Sequence, residues 1–526
     1  MFRFWKAAFA TAAVTFTAAT SNADVKLHPL FCDNMVLQRD AKVPIWGTAD
    51  PGEKVLITFS ANAKGDNVAQ VLTVEADAKG QWKGMIDTPG ASTTVTFAVK
   101  GKNEIKLENV AVGDVWLCSG QSNMEWKVSG LKKDGQGDKV AAAAANKNIR
   151  LFVVPPYRAF PTPQSTFPVS KQHGLWLECT PETVKNFSAV GYFFAKDIEA
   201  SQHVPIGMIE SDWGGTPAEA WTSKAGLEAE PSLKHYLDMI INLNEAKVME
   251  AYEKSLAAYK VAAEKAKAEG KPVPRAPTKP QNGGVHAHFP GALFNGMIAP
   301  LLPYKIKGAI WYQGESNGSR AKEYRTLYPA MIKDWRKNWG EDFPFFTVQL
   351  APFQADGSAK VSYAELRDAQ TNTCKVLPKV GMAVITDSGD ETDIHPQRKE
   401  PVGKRLALSA RAIAYGEKIE YSGPVYKSMK ADGSQVILDF DHLGGGLEAK
   451  GETLHGFTVC GEDKVFHPAK GEIKGDKVVV SCDKVAKPVA VRFGWVNFAK
   501  PELNFFNKAG LPAVPFRTDD FPLTTK

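Results

Sequence analysis

The sequence predicts an α/β protein whose mainly parallel sheet is covered by helices on both faces and accompanied by two β-rich modules. Short strand-like runs separated by turn signals fill residues 24–110. Strand-like and helical runs then alternate over residues 111–415, and strand-and-turn patterning returns over 416–526. A chain of 526 residues is long enough for more than one domain, and 44% hydrophobic with 23% charged residues is typical of globular proteins.

Residues 1–23 have the pattern of a secretory signal peptide, with a basic start, an apolar stretch and the small-residue end "SNA". We expect cleavage after Ala23 and a secreted or periplasmic mature protein. The alternative, a membrane anchor, is less favoured because the apolar run is shorter than the about 20 residues that a span needs. No later segment predicts a membrane span, and the scattered net charge of +6 does not predict a nucleic-acid partner.

The six cysteines are sparse and widely spread. Cys460 and Cys482 could pair across a hairpin in the C-terminal region, whereas Cys118 is predicted to be a buried free thiol. No CxxC or Cys/His spacing predicts zinc, and the "HAH" of His286 and His288 is a weak metal signal by itself. We therefore expect neither a metal nor an organic cofactor.

The three predicted modules differ in pattern. Runs such as "KVLITFS" with turn signals between them predict a small β-sandwich over residues 24–110. The α/β domain, residues 111–415, is interrupted by a helical insertion at about 225–285, rich in Ala, Lys and Glu. We interpret this insertion as a solvated arm, with a substrate lid or an oligomer contact as alternatives. Residues 416–526 are predicted to form a β-rich domain.

One helix of the α/β domain has a clear helical period and a natural end. It lies within "SRAKEYRTLYPAMIKDWRKNW", and Gly340 follows it as a helix stop. A second helix is predicted at about 398–414, with Lys and Arg on one face and Val402, Leu406 and Ala410 on the other. The buried positions of the first helix are predicted to be Tyr324, Leu327, Tyr328, Met331 and Trp335.

Two loops at strand ends carry candidate catalytic groups. Parallel sheets bind ligands outside the carboxyl ends of their strands. Ser122 follows the strand-like run "DVWLCS", and Gly214 and Gly215 follow "VPIGMIES". Thr216 and Glu219 have capping-box spacing, which predicts a helix start whose free N–H groups can hold negative charge. Each loop alone is equally consistent with an ordinary turn.

Two further strand ends carry amide, acid and imidazole groups. Gln313, Glu315 and Asn317 follow "KGAIWY". The Asn317 amide could donate to a developing oxyanion, and Glu315 could be a structural carboxylate. Asp393 and His395 follow "VGMAVITD", where an aspartate could fix the tautomer of a histidine base. Because all these loops are predicted at one edge of one sheet, the sequence predicts that Ser122 is a nucleophile.

These motifs resemble the sialate O-acetylesterase family, a branch of the SGNH (GDSL-like) hydrolases. The resemblance covers nearly the whole mature chain. It implies a flavodoxin-like three-layer domain that deacetylates carbohydrates through an acetyl-enzyme. The matching segments are "NMVLQRD" (34–40), "CSGQSNMEW" (118–126), "WGGTPAEAW" (213–221), "NGMIAPLLPYKIKGAIWYQGESN" (295–317) and "DIHPQRKEPVGKRLA" (393–407).

The resemblance also implies roles for individual residues. The superfamily more often spaces its acid and base as D-x-x-H, whereas this chain has D-x-H, so Glu315 and Asp390 remain alternative acids. The roles implied are Ser122 as nucleophile, His395 as general base, Asp393 as its acidic partner, and Gly215 or its neighbour Gly214 together with Asn317 as oxyanion donors.

The substrate is less well defined by the sequence. A sialic acid ester is the substrate that the resemblance implies, and acetylated xylan or xyloglucan is the alternative. A noncatalytic glycan-binding protein that uses its two β-rich modules is an alternative of another class. The number of associating chains is not predicted. Trp221 could stack on a sugar ring or be a core residue. Arg367 could pair with a sugar carboxylate or form an ion pair on the helix surface. The candidate substrate-binding residues are Gln121, Gln313, Glu315, Trp221 and Arg367.

Overall fold

The computed structural model describes residues 24–243, 245–274, 276–277, 279, 285–354 and 361–525. The predicted signal peptide lies outside these residues. Among them, no helix is both long enough and apolar enough to cross a membrane. All six cysteines are free thiols, so the pairing considered for Cys460 and Cys482 is not formed, and Cys118 is buried as predicted.

The N-terminal strands form two antiparallel sheets, in the orders β1-β3-β6 and β5-β4-β7-β8. Every second residue of β6 is buried, as expected for strands with one face on a core. Ile57 and Phe59 from one sheet and Val43 and Trp82 from the other lie in the same apolar core. The strands are β1 (Lys26–Leu27), β2 (Val36–Gln38), β3 (Ala41–Thr48), β4 (Lys54–Ala63), β5 (Asp66–Glu75), β6 (Gln81–Thr88), β7 (Val95–Lys100) and β8 (Glu104–Leu107).

The central sheet has the order β11-β10-β12-β9-β13-β14-β15. All neighbours are parallel except the antiparallel edge pair of β10 and β11. The short β2 also pairs in parallel with the start of β9, so the N-terminal segment adds a strand to this sheet. The strands are β9 (Ala111–Gly120), β10 (Asn146–Val153), β11 (Trp176–Cys179), β12 (Ile206–Asp212), β13 (Gly308–Tyr312), β14 (Phe345–Val348) and β15 (Val380–Ala383).

Both faces of the central sheet are buried against helices. Trp116 and Cys118 of β9 lie in an apolar cluster with residues of α3 and α9, whereas Val115 and Leu117 lie in another with residues of α7 and α8. All ten residues of β9 are buried, as expected for a strand covered on both sides. The helices are α1 (Ser122–Glu125), α2 (Gln136–Ala142), α3 (Ala189–Gln202), α4 (Lys224–Glu228), α5 (Lys234–Ile241), α6 (Glu245–Ala268), α7 (Ala321–Trp339), α8 (Ser362–Val376) and α9 (Lys399–Ile413).

The two predicted amphipathic helices are confirmed. Helix α7 ends where Gly340 adopts φ 70°, a left-handed conformation that glycine allows at low cost. All five of its predicted core residues are buried. In α9, Val402, Leu406 and Ala410 are buried, as expected from their spacing. The predicted insertion contains α4, α5 and the long α6, whose side chains are largely exposed.

The C-terminal strands form three antiparallel sheets, β16-β17-β22-β21, β18-β24 and β20-β19-β23-β25. Phe457, Phe493 and Phe505 pack together in a separate apolar core. The strands are β16 (Val425–Asp432), β17 (Gln435–Asp441), β18 (Leu447–Ala449), β19 (Phe457–Cys460), β20 (His467–Pro468), β21 (Lys470–Lys474), β22 (Lys477–Ser481), β23 (Ala490–Phe493), β24 (Phe505–Asn507) and β25 (Phe516–Arg517).

Three central strands end on the same line at the carboxyl edge of the sheet. Gly120 of β9 is paired with Asp212 of β12 on one side and with Tyr312 of β13 on the other. Chain order also reverses here, because β10 and β12 lie on one side of β9 and β13 to β15 on the other. Such a switch point opens a crevice between loops. The predicted catalytic loops therefore begin side by side.

Candidate active site

Ser122 lies in a tight turn from β9 into the short helix α1. Gly120 makes this turn possible, because its φ is 141° and a Cβ there would lie 2.2 Å from the Tyr312 carbonyl oxygen. The next residue, Gln121, donates its backbone N–H to the same carbonyl over 3.0 Å. The turn places the Ser122 side chain on the wall of an open cleft of about 620 Å³.

His395 faces this serine. Its Nε2 lies 2.9 Å from the Ser122 Oγ, which is hydrogen-bonding distance for a base and its nucleophile. The indole of Trp126 stacks on the imidazole, with ring centroids 5.1 Å apart and planes at 24°. The stacking restricts the imidazole plane. Two residues that are 273 positions apart in the sequence are thus brought into contact.

Asp393 binds the histidine loop more closely than it binds the imidazole. Its Oδ1 accepts the backbone N–H of His395 over 2.8 Å, whereas the same oxygen is 3.8 Å from the His395 Nδ1. The longer distance is within ion-pair range but exceeds a hydrogen bond. Asp390, the alternative acid, accepts from the backbone N–H groups of Thr392 and Asp393 and so shapes the loop.

Three features of its environment shift the pKa of His395. Burial and then the Lys399 ammonium lower the pKa of the His395 imidazole, and the Asp393 carboxylate opposes them. A lowered pKa keeps the imidazole neutral at pH 7, the state in which it can accept a proton. The site therefore holds a neutral imidazole beside the Ser122 hydroxyl.

The two glycines after β12 have different roles in the structure. The Gly214 N–H donates to the Glu125 Oε2 over 2.6 Å, and a Cβ on Gly214 would lie 3.3 Å from the Ser122 Cβ. Gly215 has φ 75°, and its N–H donates to no acceptor among the described residues. The contact with Glu125 thus occupies the Gly214 N–H, whereas the Gly215 N–H has no acceptor among the described residues.

The predicted capping box at this loop is wrong. The helix that follows is a single 3₁₀ turn, Ala218–Trp221, without a side-chain cap. The Thr216 hydroxyl instead donates to the Trp213 carbonyl, and the Glu219 carboxylate accepts from Asn317 and Arg320. Tertiary partners therefore take the side chains that would have capped a longer helix.

Asn317 is held in one orientation by several hydrogen bonds. Its Oδ1 accepts from the Ala218 N–H over 2.9 Å and from the Gln313 Nε2 over 2.7 Å, and its Nδ2 donates to the Glu219 Oε2 over 3.0 Å. These contacts use one of the two Nδ2 hydrogens and fix the direction of the other. Glu219 is itself paired with Arg320 at 2.7 Å. No sequence pattern predicts this network around Asn317.

Three predicted substrate-binding residues connect loops instead of lining the cleft. The Gln121 Oε1 accepts the backbone N–H groups of Gly314 and Ser316, both at 3.3 Å. Gln313 is fully buried and donates to the Thr216 carbonyl and to Asn317. The Glu315 Oε1 accepts from the Asn123 Nδ2 over 2.6 Å, and burial raises the pKa of this carboxyl.

The other two predicted substrate-binding residues belong to the core. Trp221 is fully buried, and its indole N–H donates to the Thr216 hydroxyl. Arg367 is 1% exposed and donates to three backbone carbonyls, those of Leu350, Val496 and Asn497. Its guanidinium therefore forms neither the predicted contact with a sugar carboxylate nor the predicted surface ion pair.

The cleft is lined by other side chains, several of them polar. Lys132 is exposed, and its ammonium forms no ion pair within the part of the chain that the structure describes. Lys127 is paired with the buried Glu210. His286 and His288 lie near each other, but no group of three potential metal ligands occurs among the described residues. The cleft residues are Ser122, Glu125, Trp126, Lys127, Ser129, Gly130, Lys132, His395 and Gln397.

Two residues of the site were missed by the sequence analysis. Asn123 is fully buried and contacts the loops of Glu315 and His395. Lys399 was not singled out among the basic residues of its helix, but it is fully buried and donates to the Asn123 Oδ1. One signal was present in the sequence, because a lysine in the first turn of a helix is disfavoured by the helix dipole.

Several known proteins are similar to this chain in sequence. The profile of the family described as carbohydrate esterase, sialic acid-specific acetylesterase, matches residues 292–411. The sialate O-acetylesterase of Homo sapiens is 28% identical over 521 residues, covering 92% of this chain and 90% of the human protein. That of Mus musculus is 30% identical over 450 residues, covering 78% of each chain.

A solved structure extends the comparison to the fold. A crystal structure described as a novel carbohydrate acetylesterase from Xanthomonas citri aligns with a TM-score of 0.78 at 38% identity. The alignment covers 94% of this chain and all of that one. Together with the α/β architecture, these relatives define the class of the protein, a carboxylic-ester hydrolase. The chain belongs to the sialate O-acetylesterase family, which confirms the resemblance seen in its motifs.

Proposed function

We propose that this protein is a secreted carbohydrate O-acetylesterase that removes acetyl groups from sugars through a Ser122-linked acetyl-enzyme. The observation that carries the proposal is the 2.9 Å contact between the Ser122 Oγ and the His395 Nε2 on the wall of an open cleft. The α/β domain is then of the SGNH, flavodoxin-like type. Export would be directed by residues 1–23, whose sequence has the features of a signal peptide.

The reaction begins with a proton transfer. His395 takes the proton of the Ser122 hydroxyl as the oxygen attacks the acetyl carbonyl, and it returns that proton to the departing sugar oxygen. Water then attacks the acetyl-enzyme with His395 again as the base, which releases acetate and restores the serine. A neutral imidazole at pH 7 suits both steps, and its pKa is lowered mainly by burial.

The negative charge that develops on the acetyl oxygen needs donors. We infer that these are the backbone N–H groups of Ser122 and Gly215 and the second Nδ2 hydrogen of Asn317. The Gly214 N–H is occupied by Glu125, and Asn317 is oriented by its contacts with Ala218, Gln313 and Glu219. One such donor typically contributes about 3 kcal/mol to the stabilisation of the transition state.

Asp393→Asn is expected to reduce kcat on 4-nitrophenyl acetate by about 100-fold, since a partner of the imidazolium is lost while the contact with the His395 backbone N–H can persist. Because Asp393 raises the pKa of His395, the acid limb of the kcat/KM profile should also move to lower pH. Glu391→Gln, in the same loop and paired with Lys500 at 2.6 Å, is the matched control and should change neither. A near-wild-type rate for Asp393→Asn would move the acid role to Glu315.

The first candidate substrate is an O-acetylated sialic acid, as in the human and mouse relatives. Lys132, exposed and unpaired among the described side chains of the cleft, could contact the carboxylate of such a sugar. The second candidate is an acetylated polysaccharide such as xylan or xyloglucan. It is supported by the burial of Arg367, which removes one candidate contact for a sugar carboxylate. The relative at 38% identity, described as a carbohydrate acetylesterase, is compatible with either substrate.

A panel of acetate-release assays tests the proposed function. We expect kcat/KM to be about tenfold higher on O-acetylated sialic acid than on acetylated xylan or xyloglucan, since a charge-assisted hydrogen bond contributes about 1.5–3 kcal/mol. The reverse ranking would assign the second substrate. If the folded protein retains glycans but releases no acetate from any of these esters or from 4-nitrophenyl acetate, the noncatalytic alternative holds.

A further inference from the structure

The amide of Asn123 joins three separate segments beneath the serine–histidine pair. Its Nδ2 donates to the Glu315 Oε1 over 2.6 Å and to the carbonyl of Ile394 over 3.0 Å. Its Oδ1 accepts from the Lys399 ammonium. Asn123 immediately follows the nucleophile, and Ile394 immediately precedes the base. One fully buried side chain thus connects the turn of Ser122 with the loop of His395.

The position of Lys399 is energetically unfavourable for a positive charge. It is 0% exposed and is the first residue of α9, where the positive end of the helix dipole opposes its charge. The Nζ lies 5.4 Å from the centre of the Tyr312 ring and 5.8 Å from that of Trp126, the indole that stacks on His395. An apolar side chain of similar length would avoid the cost of burying a charge. The stability of the fold therefore does not explain the lysine.

We propose that Lys399 is a positioning residue of the esterase, holding Asn123 so that the Ser122 turn and the His395 loop keep their contact distance. The inference rests on the proposed function of the Ser122–His395 pair and names a residue on which that pair depends. Lys399 does not line the cleft, so it acts through Asn123 and Trp126 rather than on the substrate.

The charge of Lys399 has a second consequence for the histidine. The titratable side chains around its ammonium are Glu315, Asp393, His395 and Tyr312, whose ring faces the Nζ. Burial lowers the pKa of Lys399 to about 7, against the opposing effects of Glu315 and Asp393. The amine is therefore protonated in the acid range where His395 titrates, and there it disfavours the imidazolium. Removing it should make His395 easier to protonate.

Lys399→Met tests both consequences. On 4-nitrophenyl acetate we expect kcat to fall by about 10- to 100-fold, because small displacements of reacting groups have effects of this size, while KM changes by less than about twofold. The acid limb of the kcat/KM profile should move to higher pH. Lys404→Met is the matched control, since Lys404 lies on the same helix, is exposed and pairs with Glu400, and this variant should behave as the wild type.

Lys399→Gln removes the positive charge but keeps a hydrogen-bond donor, so it distinguishes the two effects. The same assays on this variant test the proposal if Lys399→Met does not fold. Its carboxamide can still donate to Asn123, so kcat should recover in part while the acid limb stays shifted. A kcat within about twofold of wild type and an unmoved acid limb in the folded Lys399 variants would overturn the inference. If the Lys399 variants behave in this way while Ser122→Ala is inactive in the same assay, only the role of Lys399 is refuted. An active Ser122→Ala would refute the proposed function itself.

Discussion

Ser122→Ala should reduce kcat for acetate release by at least about 10⁴-fold, the scale of loss when a serine nucleophile is removed from an enzyme that acts through an acyl intermediate. The Ser122 Oγ contacts the His395 imidazole on the wall of the cleft, and its loss removes the atom that would carry the acetyl group. Initial rates on 4-nitrophenyl acetate, with mass spectrometry for a +42 Da acetyl adduct at about pH 5, check both the rate and the intermediate.

The matched control is Ser129→Ala, because Ser129 is an exposed serine in the same cleft. It should keep wild-type turnover. The free energy of unfolding of Ser122→Ala should differ from wild type by less than about 1 kcal/mol, because only one hydrogen bond is removed from a partly exposed position. Acetate release that continues in a folded Ser122→Ala variant would place the reaction elsewhere on the molecule.

The elements that the sequence predicted best are those fixed by local pattern. The spacing of apolar residues in α7 and the glycine at its end required no knowledge of distant contacts. The pairing of β2 with β9 could not be predicted in this way, since its three residues pair with a strand more than 70 positions away. A strand this short is stabilised by pairing with β9 rather than by the β-propensity of its own residues.

The edge of the sheet explains why much of the site could be predicted. Loops that follow parallel strands must meet at one edge, so Ser122, Gly215 and Asn317 were expected to lie close together. The register of Asp212, Gly120 and Tyr312 brings those loops together. What the pattern could not predict is which side chains face the cleft. That choice depends on the turns, which are stabilised by contacts between loops.

The sequence analysis was least successful for polar residues that are buried in the structure. Arg367 and Lys399 both lie on helices where the sequence suggested solvent, yet each is almost inaccessible. Arg367 satisfies its guanidinium with three carbonyls, one from β14's loop and two from the C-terminal region. Lys399 depends on Asn123. Helical period alone cannot identify such partners, because they approach from segments more than 100 residues away or from other layers of the fold.

His395→Ala should have nearly the same effect as Ser122→Ala, a loss in kcat of about 10⁴-fold or more, because the hydroxyl is a weak nucleophile without its base. The Ser122→Ala/His395→Ala double variant should be no slower than either single variant. This non-additivity is expected only if the two side chains act in one step. Rates of all three variants on 4-nitrophenyl acetate, corrected for buffer hydrolysis, give the comparison.

Added imidazole distinguishes a missing base from a damaged fold. The His395 side chain is partly exposed at the cleft, so free imidazole can reach the space left by His395→Ala and accept the Ser122 proton. Imidazole should therefore raise the rate of His395→Ala, after subtraction of its own reaction with the ester. The double variant measures that background and should show no rescue, since it lacks the nucleophile. Equal stimulation of both variants would mean that His395 is not the base.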